Sequence, residues 1–345
     1  MSSEARERIE RLMEGAVAKG VSAIVLAAGE PVAYRSESGV LRGEEEPLLS
    51  DEIRSLADAV VGAERVAEIG PRTGAVSASF PLPGKANGLV NVTRAREGYA
   101  MTITLLPPVT LDVAETMVPE AVVNAAMSSD GMAVFCGHAD SGKEATALSV
   151  VEHINRNLDC LIATVEDPAA VRLEPKRAIV QQREVGLDVP DAASGIRAAM
   201  KQGADFLFVP EINGFEELLA CVTAAERGVM VITCLDVFRI RVPECFELIV
   251  EAQPCDLRAG FREAFATALR VLSVQVLVDK SGGRGRVPLF GYAIPDANER
   301  LSLADGPRAS GTMATCGQTL KGVRDELKRQ GVITQRDWER AVLRT

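Results

Sequence analysis

Between residues 131 and 235 the chain alternates short, continuous apolar runs with segments of helical period. "GMAVFC" (131–136) leads into a glycine loop and then into "KEATALSVVEHINRN", which reads as a helix. "LDCLIATV" (158–165) and "DFLFV" (205–209) are further buried runs. "GFEELLACVTAAERG" is helical again, and "VMVITCL" (229–235) closes the series. Strands that are apolar on both faces and separated by helices belong to a parallel sheet covered on both sides. This stretch therefore predicts an α/β domain.

The flanks read differently. Residues 4–19 place Ile9, Leu12, Met13, Ala16 and Val17 at helical spacing, with Gly20 as a C-terminal cap. "SAIVLAA" is a strand, and "SDEIRSLADAVVG" is a second helix with a capping-box-like start at Ser50. From 73 to 106 the runs "GAVSASF", "GLVNVTR" and "YAMTITLL" suggest a small antiparallel sheet. The expectation is an α+β domain over 1–104 and a proline-containing linker, "LLPPVTLD", over 105–112. A P-loop core follows over 113–258, then a mainly helical part over 259–345. A length of 345 residues suits two domains.

Charge and composition exclude some partners. The net charge is −10 and aromatics make up 4% of the chain. That argues against nucleic acid or an anionic membrane held by bulk electrostatics. The seven cysteines show no C-x-x-C spacing and sit mostly in apolar runs, which suits buried, reduced thiols. Two histidines and no cysteine pair exclude a zinc site. The opening "MSSEARERIERLMEG" is charged throughout, so no signal peptide is expected. No apolar run reaches the ~18 residues of a membrane span. A soluble, cytoplasmic protein without direct membrane insertion is the expectation.

The glycine loop carries the candidate chemistry. "GHADSGKEAT" (137–146) has the spacing G-x-x-x-x-G-K after a strand and before a helix. In that arrangement backbone N–H groups and a helix N-terminus face an anion, and the lysine reaches phosphates. The candidate binding residues are Gly137, Asp140, Ser141, Gly142, Lys143 and Glu144. The pattern should end in Ser or Thr, whose hydroxyl ligates Mg²⁺, but Glu144 stands there. It could reach a metal, repel phosphates, or pair with Lys143 and take that lysine from nucleotide. His138, inside the loop, reads as loop filler, exposed if the loop is exposed. Cys136 reads as packing.

Several stretches, taken in order, resemble the type IV pilus retraction and type II secretion motor ATPases, the PilT/GspE family. "TVEDPAA" (164–170) is similar to the family's acidic box, and "QQREVG" (181–186) to the segment that follows it. "GADFLFVPEINGFEELLACVTAAERGVMVITCLD" aligns without gaps to the Walker B segment, the next helix and the His box. "GQTLKGVRDELKRQGVIT" resembles the C-terminal signature. The resemblance implies an N-terminal PAS-like domain and a RecA-like P-loop ATPase domain with a helical C-terminal subdomain. It implies ATP with Mg²⁺ as cofactor, if the site survives. It also implies a homo-hexamer, or a hetero-ring with an active paralogue, working on an inner-membrane pilus or secretion platform protein. The chain would then be peripheral to the inner membrane through its partners. By resemblance Glu166 is the general base and Glu211 the Walker B carboxylate.

The departures fall at the chemistry. Besides Glu144, the Walker B segment reads "VPEING", with Pro210 for glycine and Asn213-Gly214 for Arg-Asp. Asp236 stands where the His box has histidine. In the N-terminal segment Asn91 and Gly98 hold their places, but Glu97 and Thr104 replace arginines. Arg94 and Arg96 lie nearby. An arginine finger alone is worth ~10³–10⁵ in rate, so these losses together predict a hydrolysis-impaired regulator or partner subunit. An active hexameric motor and a scaffold that has left nucleotide behind are the competing readings.

Overall fold

The computed structural model describes residues 3–36, 39–44, 46–70, 74–106, 111–169, 171–237, 239, 241–282, 285–306, 313 and 317–343. The expected linker over 105–112 lies outside them at 107–110. The chain divides into two compact units, Met1–Thr110 with Asp167–Arg172, and Leu111–Glu166 with Leu173–Thr345.

The first unit is α+β. Its elements are α1 (Ser3–Ala18), β1 (Ala23–Ala27), β2 (Ala33–Ser36), β3 (Gly39–Arg42), α2 (Ser50–Val61) and α3 (Ala63–Ala67). They continue with β4 (Ala75–Leu82), β5 (Ala86–Ala95) and β6 (Gly98–Leu106). The strands form an antiparallel sheet in the order β3-β2-β1-β6-β5-β4. On β4 every second residue from Val76 to Leu82 is buried, the period-2 signature of a sheet covered on one face. Ile9, Met13 and Ala16 of α1 and Ile53, Leu56 and Ala57 of α2 belong to the same core. Ser50 does not cap α2. Glu52 does so by itself, its carboxylate accepting from the Leu49 N–H at 2.8 Å. The Ser50 hydroxyl instead accepts from the Tyr99 N–H at 3.2 Å and ties α2 to β6.

The second unit begins with α4 (Glu120–Ala126), β7 (Gly131–Gly137), α5 (Lys143–Asn157), β8 (Leu161–Glu166) and β9 (Ile179–Glu184). It continues with α6 (Ala192–Lys201), β10 (Phe206–Val209), α7 (Phe215–Glu226), β11 (Met230–Asp236), α8 (Val242–Glu251) and α9 (Arg258–Ala268). Last come β12 (Leu269–Asp279), β13 (Arg286–Ala293), α10 (Ala297–Ala304), β14 (Gly317–Gln318), α11 (Leu320–Arg329) and α12 (Gln335–Leu343). The sheet order is β14-β13-β12-β7-β11-β10-β8-β9. From β12 to β9 all neighbours are parallel; β13 and β14 add an antiparallel edge. Every residue of β7 is buried, as a central strand with both faces covered requires. This is the RecA-like P-loop architecture, with the loop at the carboxyl end of a central strand.

One expectation needs correction. The region from 259 onward holds helices, but β12, β13 and β14 lie there too and extend the sheet. "LRVLSVQVLVD" is buried almost throughout. With both faces covered it lacks the alternation that marks a strand, and periodicity alone cannot separate such a run from a buried helix. Its valines are the usable signal, since β-branched side chains favour strands.

On α5, Glu152 is 3% exposed. Its carboxylate accepts from Lys176 Nζ, from Arg156 Nε at 2.9 Å and from Asn155 Nδ2 at 3.0 Å. Burial alone would raise its pKa, but Lys176, Asn155 and Arg156 hold it below the ordinary value. The ionised network therefore stabilises the fold above the unfolded value, about pH 4.3. That contribution is lost as the pH falls through the lowered native value. Glu152→Gln is expected to cost about 1–3 kcal/mol at neutral pH and to flatten the acid limb of the stability profile. Urea denaturation at neutral and acid pH measures both.

Candidate functional site

The loop between β7 and α5 keeps the backbone of a phosphate cradle. Asp140 is at φ 64° and Gly142, the residue before α5, at φ 79°. The left-handed region is open to glycine and strained for most other residues. Gly137 has no room for a side chain: a Cβ there would lie 2.4 Å from Ser141 Oγ and 2.8 Å from the Gln275 carbonyl oxygen. Gln275 lies on β12 opposite Gly137 in the ladder, and its amide nitrogen is 3.1 Å from where a Gly142 Cβ would be. It supports the loop from behind. No motif marks it, because the contact comes from a strand far along the chain. Ser141 Oγ and Gln275 Oε1 are buried with no hydrogen-bond partner among the described residues.

The side chains of the loop tell a different story. Lys143 is the first residue of α5 and is 5% exposed. Its ammonium lies 2.6 Å from an Asp236 carboxylate oxygen and 3.5 Å from Glu144 Oε1. It also donates to the His138 carbonyl at 3.3 Å. Asp236 ends β11, directly opposite Gly137 of β7, so the parallel register carries its carboxylate to the lysine. Burial alone would lower the lysine's pKa. The hydrogen bond to Asp236 and the charges of Glu144 and Asp236 outweigh that and raise it. Lys143 is thus held as a cation by two carboxylates of its own chain. Those carboxylates are themselves exposed, so the pairing is made at the mouth of the loop and not deep in the core.

The remaining candidates are placed as follows. Asp140 and Glu144 are exposed, and Ser141 is buried. His138 is buried with the loop, and burial, opposed by Asp236, lowers its pKa. Cys136 is buried beneath the loop; a hydrogen bond with the Cys245 thiol, together with burial, pushes its thiol far up, away from nucleophile chemistry. Glu166 ends β8 at the same carboxyl edge of the sheet and is 2% exposed. Its Oε1 accepts from Thr164 Oγ1 at 2.7 Å and from Gln182 Nε2 at 3.0 Å, which fixes its orientation. Glu211 lies in the loop after β10 and is exposed. The structure thus draws Lys143, Glu144, Asp236 and His138 into one cluster. Glu166, at the end of β8, and Glu211, in the loop after β10, share the sheet edge with it. In the first unit, Arg94 and Thr104 are exposed, and the Arg94 guanidinium lies 5.8 Å from the Tyr99 ring centre.

The fold implies Mg²⁺ and ATP, and the fit is divided. The glycine backbone suits a phosphate. The side chains do not suit Mg·ATP: the lysine's charge is already balanced by carboxylates of its own chain, and a carboxylate stands at the hydroxyl position. A second carboxylate, on Asp236, faces the same space. Two unit charges 4 Å apart interact by about 1–4 kcal/mol between bulk water and a protein surface, and here the sign is repulsive toward phosphate.

Comparison with known proteins places these features. A family model described as type II/IV secretion system protein matches residues 109–237. The uncharacterised protein YggR of Escherichia coli is 32% identical over 196 residues, 56% of this chain and 59% of YggR's own length. The type IV pilus retraction ATPase PilT of Pseudomonas aeruginosa is 26% identical over 279 residues, 81% of this chain and 80% of PilT. A solved structure of the pilus retraction motor PilT with bound ADP is similar at TM-score 0.83 and 27% identity. That match covers 96% of this chain and 96% of that one.

Proposed function

We propose that the chain is a hydrolysis-impaired member of the type IV pilus and secretion motor ATPase family, to whose members it is similar. On this reading it acts as a regulator or partner subunit, in a homo-hexamer or in a ring with an active paralogue. Its place is the cytoplasmic face of an inner-membrane pilus or secretion platform. The observation that carries the reading is the engagement of Lys143 by Asp236 at 2.6 Å and Glu144 at 3.5 Å. Phosphoryl transfer is catalysed almost wholly by positioning and by stabilising charge. A lysine balanced by its own carboxylates offers little of either. Among the described residues no helix is long and apolar enough to cross a membrane, which is compatible with attachment through partners.

Steady-state turnover of Mg·ATP by the purified full-length chain tests this. The expected result is turnover indistinguishable from that of Lys143→Ala. Turnover in the wild type that Lys143→Ala abolishes would return the chain to the active motors.

A further inference from the structure

A cavity of about 500 Å³ lies in the C-terminal half of the second unit, where the start of α8, β13, α11 and α12 meet. It shares no lining residue with the glycine loop, and its size falls in the range of small-molecule sites, about 300–1,000 Å³. Trp338 and Leu320 line it and are 7% and 4% exposed, with Tyr292 half-buried beside them. The walls are therefore apolar and aromatic.

Three cations line the same space, Arg241, Lys321 and Arg324, and the described lining residues include no carboxylate. In a chain of net charge −10 this is a local reversal of sign. Arg241 is braced by Glu244 at 2.9 Å, outside the cavity. Arg324 is braced by Asp325 at 2.6 Å, and its guanidinium lies 5.6 Å from the Trp338 ring centre. A guanidinium has five N–H donors, so one carboxylate partner fixes its place and leaves donors to offer. Lys321, exposed on the first turn of α11, adds a mobile ammonium at the mouth.

We propose that this cavity binds a small organic anion with an apolar, aromatic body. The body lies against Trp338, Tyr292 and Leu320, and the acid group meets Lys321 and Arg241. An inorganic anion would forfeit the apolar wall, and a neutral apolar molecule would forfeit the charge-assisted hydrogen bonds, which are the stronger kind.

Trp338 is the single tryptophan of the chain, so the tryptophan emission originates at this cavity. The test titrates the full-length protein with anilinonaphthalene sulfonate and with the uncharged phenylnaphthylamine. Saturable one-site quenching of Trp338 by the sulfonate is expected. Lys321→Glu should weaken it by about tenfold or more, while Lys321→Arg, which keeps the charge, should stay within about threefold of wild type. The uncharged analogue should bind more weakly than the sulfonate and respond to neither substitution. Lys321 is exposed, so neither substitution threatens folding, and the tryptophan emission of the unliganded variants checks that. The proposal is overturned if the sulfonate fails to quench saturably or binds Lys321→Glu as tightly as wild type. It is equally overturned if the uncharged analogue matches the sulfonate in affinity.

Discussion

The full-length chain carrying Glu144→Ser together with Asp236→His is expected to bind Mg·ATP about a hundredfold more tightly than wild type, or better. The two substitutions act on the same quantity. Each removes a negative charge that faces the phosphate position, and together they release Lys143, whose ammonium now lies 2.6 Å from Asp236 and 3.5 Å from Glu144. One charge pair at this range is worth about 1–4 kcal/mol, so two removed repulsions, about 2–8 kcal/mol together, span the ~2.7 kcal/mol that a hundredfold requires. Asp236→His alone should give a smaller gain, because Glu144 still reaches the lysine. Without the two carboxylates the buried Lys143 ammonium is uncompensated until a phosphate meets it, so the unliganded double variant gives up some stability. The backbone needs no repair: Gly137 and Gly142 already hold the cradle open. Titration calorimetry reads the affinities, and a double variant within about threefold of wild type would show that the carboxylates are not the obstacle.

The largest expected loss of stability comes from Phe265→Ala, at about 3–5 kcal/mol. Phe265 of α9 is 0% exposed. Its ring stacks at 5.4 Å on Phe246 of α8 and at 5.5 Å on Phe261 of α9. Truncation removes the apolar burial and both ring contacts, each of which adds about 0.5–1.5 kcal/mol to area burial. It also leaves a cavity that the packed helices α8 and α9 cannot easily close. Against a total of about 5–15 kcal/mol for a folded protein, that is a large fraction. The effect reaches the site, because α8 carries Cys245, whose thiol donates to the Arg239 carbonyl at 3.3 Å in the loop after Asp236. Chemical denaturation measures the change, with Phe265→Leu retaining most of the stability. A loss below about 1 kcal/mol for Phe265→Ala would mean that the core repacks freely there.

Much of this organisation is legible in the chain itself. "GMAVFC" followed by G-x-x-x-x-G-K and a helical period can hardly be anything but strand, loop and helix, and β7, the loop and α5 lie where that reading puts them. The antiparallel sheet of the first unit is legible for the same reason: period-2 burial leaves a mark in sequence. β12 leaves no such mark. Its "VLSVQVLV" core is buried on both faces, so neither period appears. The chemistry divides along the same line. Glu144 is a local departure from a local pattern and is visible at once. The Lys143–Glu144 pair is one of the readings that departure allows. The Lys143–Asp236 pair is not visible, since it exists only because β11 lies beside β7 in register, with Asp236 opposite Gly137. Gln275 is hidden for the same reason, and the burial of His138 follows from loop packing that spacing does not encode.

On the proposed reading, Lys143 is engaged by carboxylates of its own chain in preference to nucleotide. A crystal structure of the full-length protein grown with excess Mg·ATP tests it most directly. The expected result is a Lys143 ammonium still at hydrogen-bond distance from Asp236, near the present 2.6 Å, with no phosphate in the glycine loop. A phosphate oxygen on Lys143 Nζ, with Asp236 turned away, would contradict it.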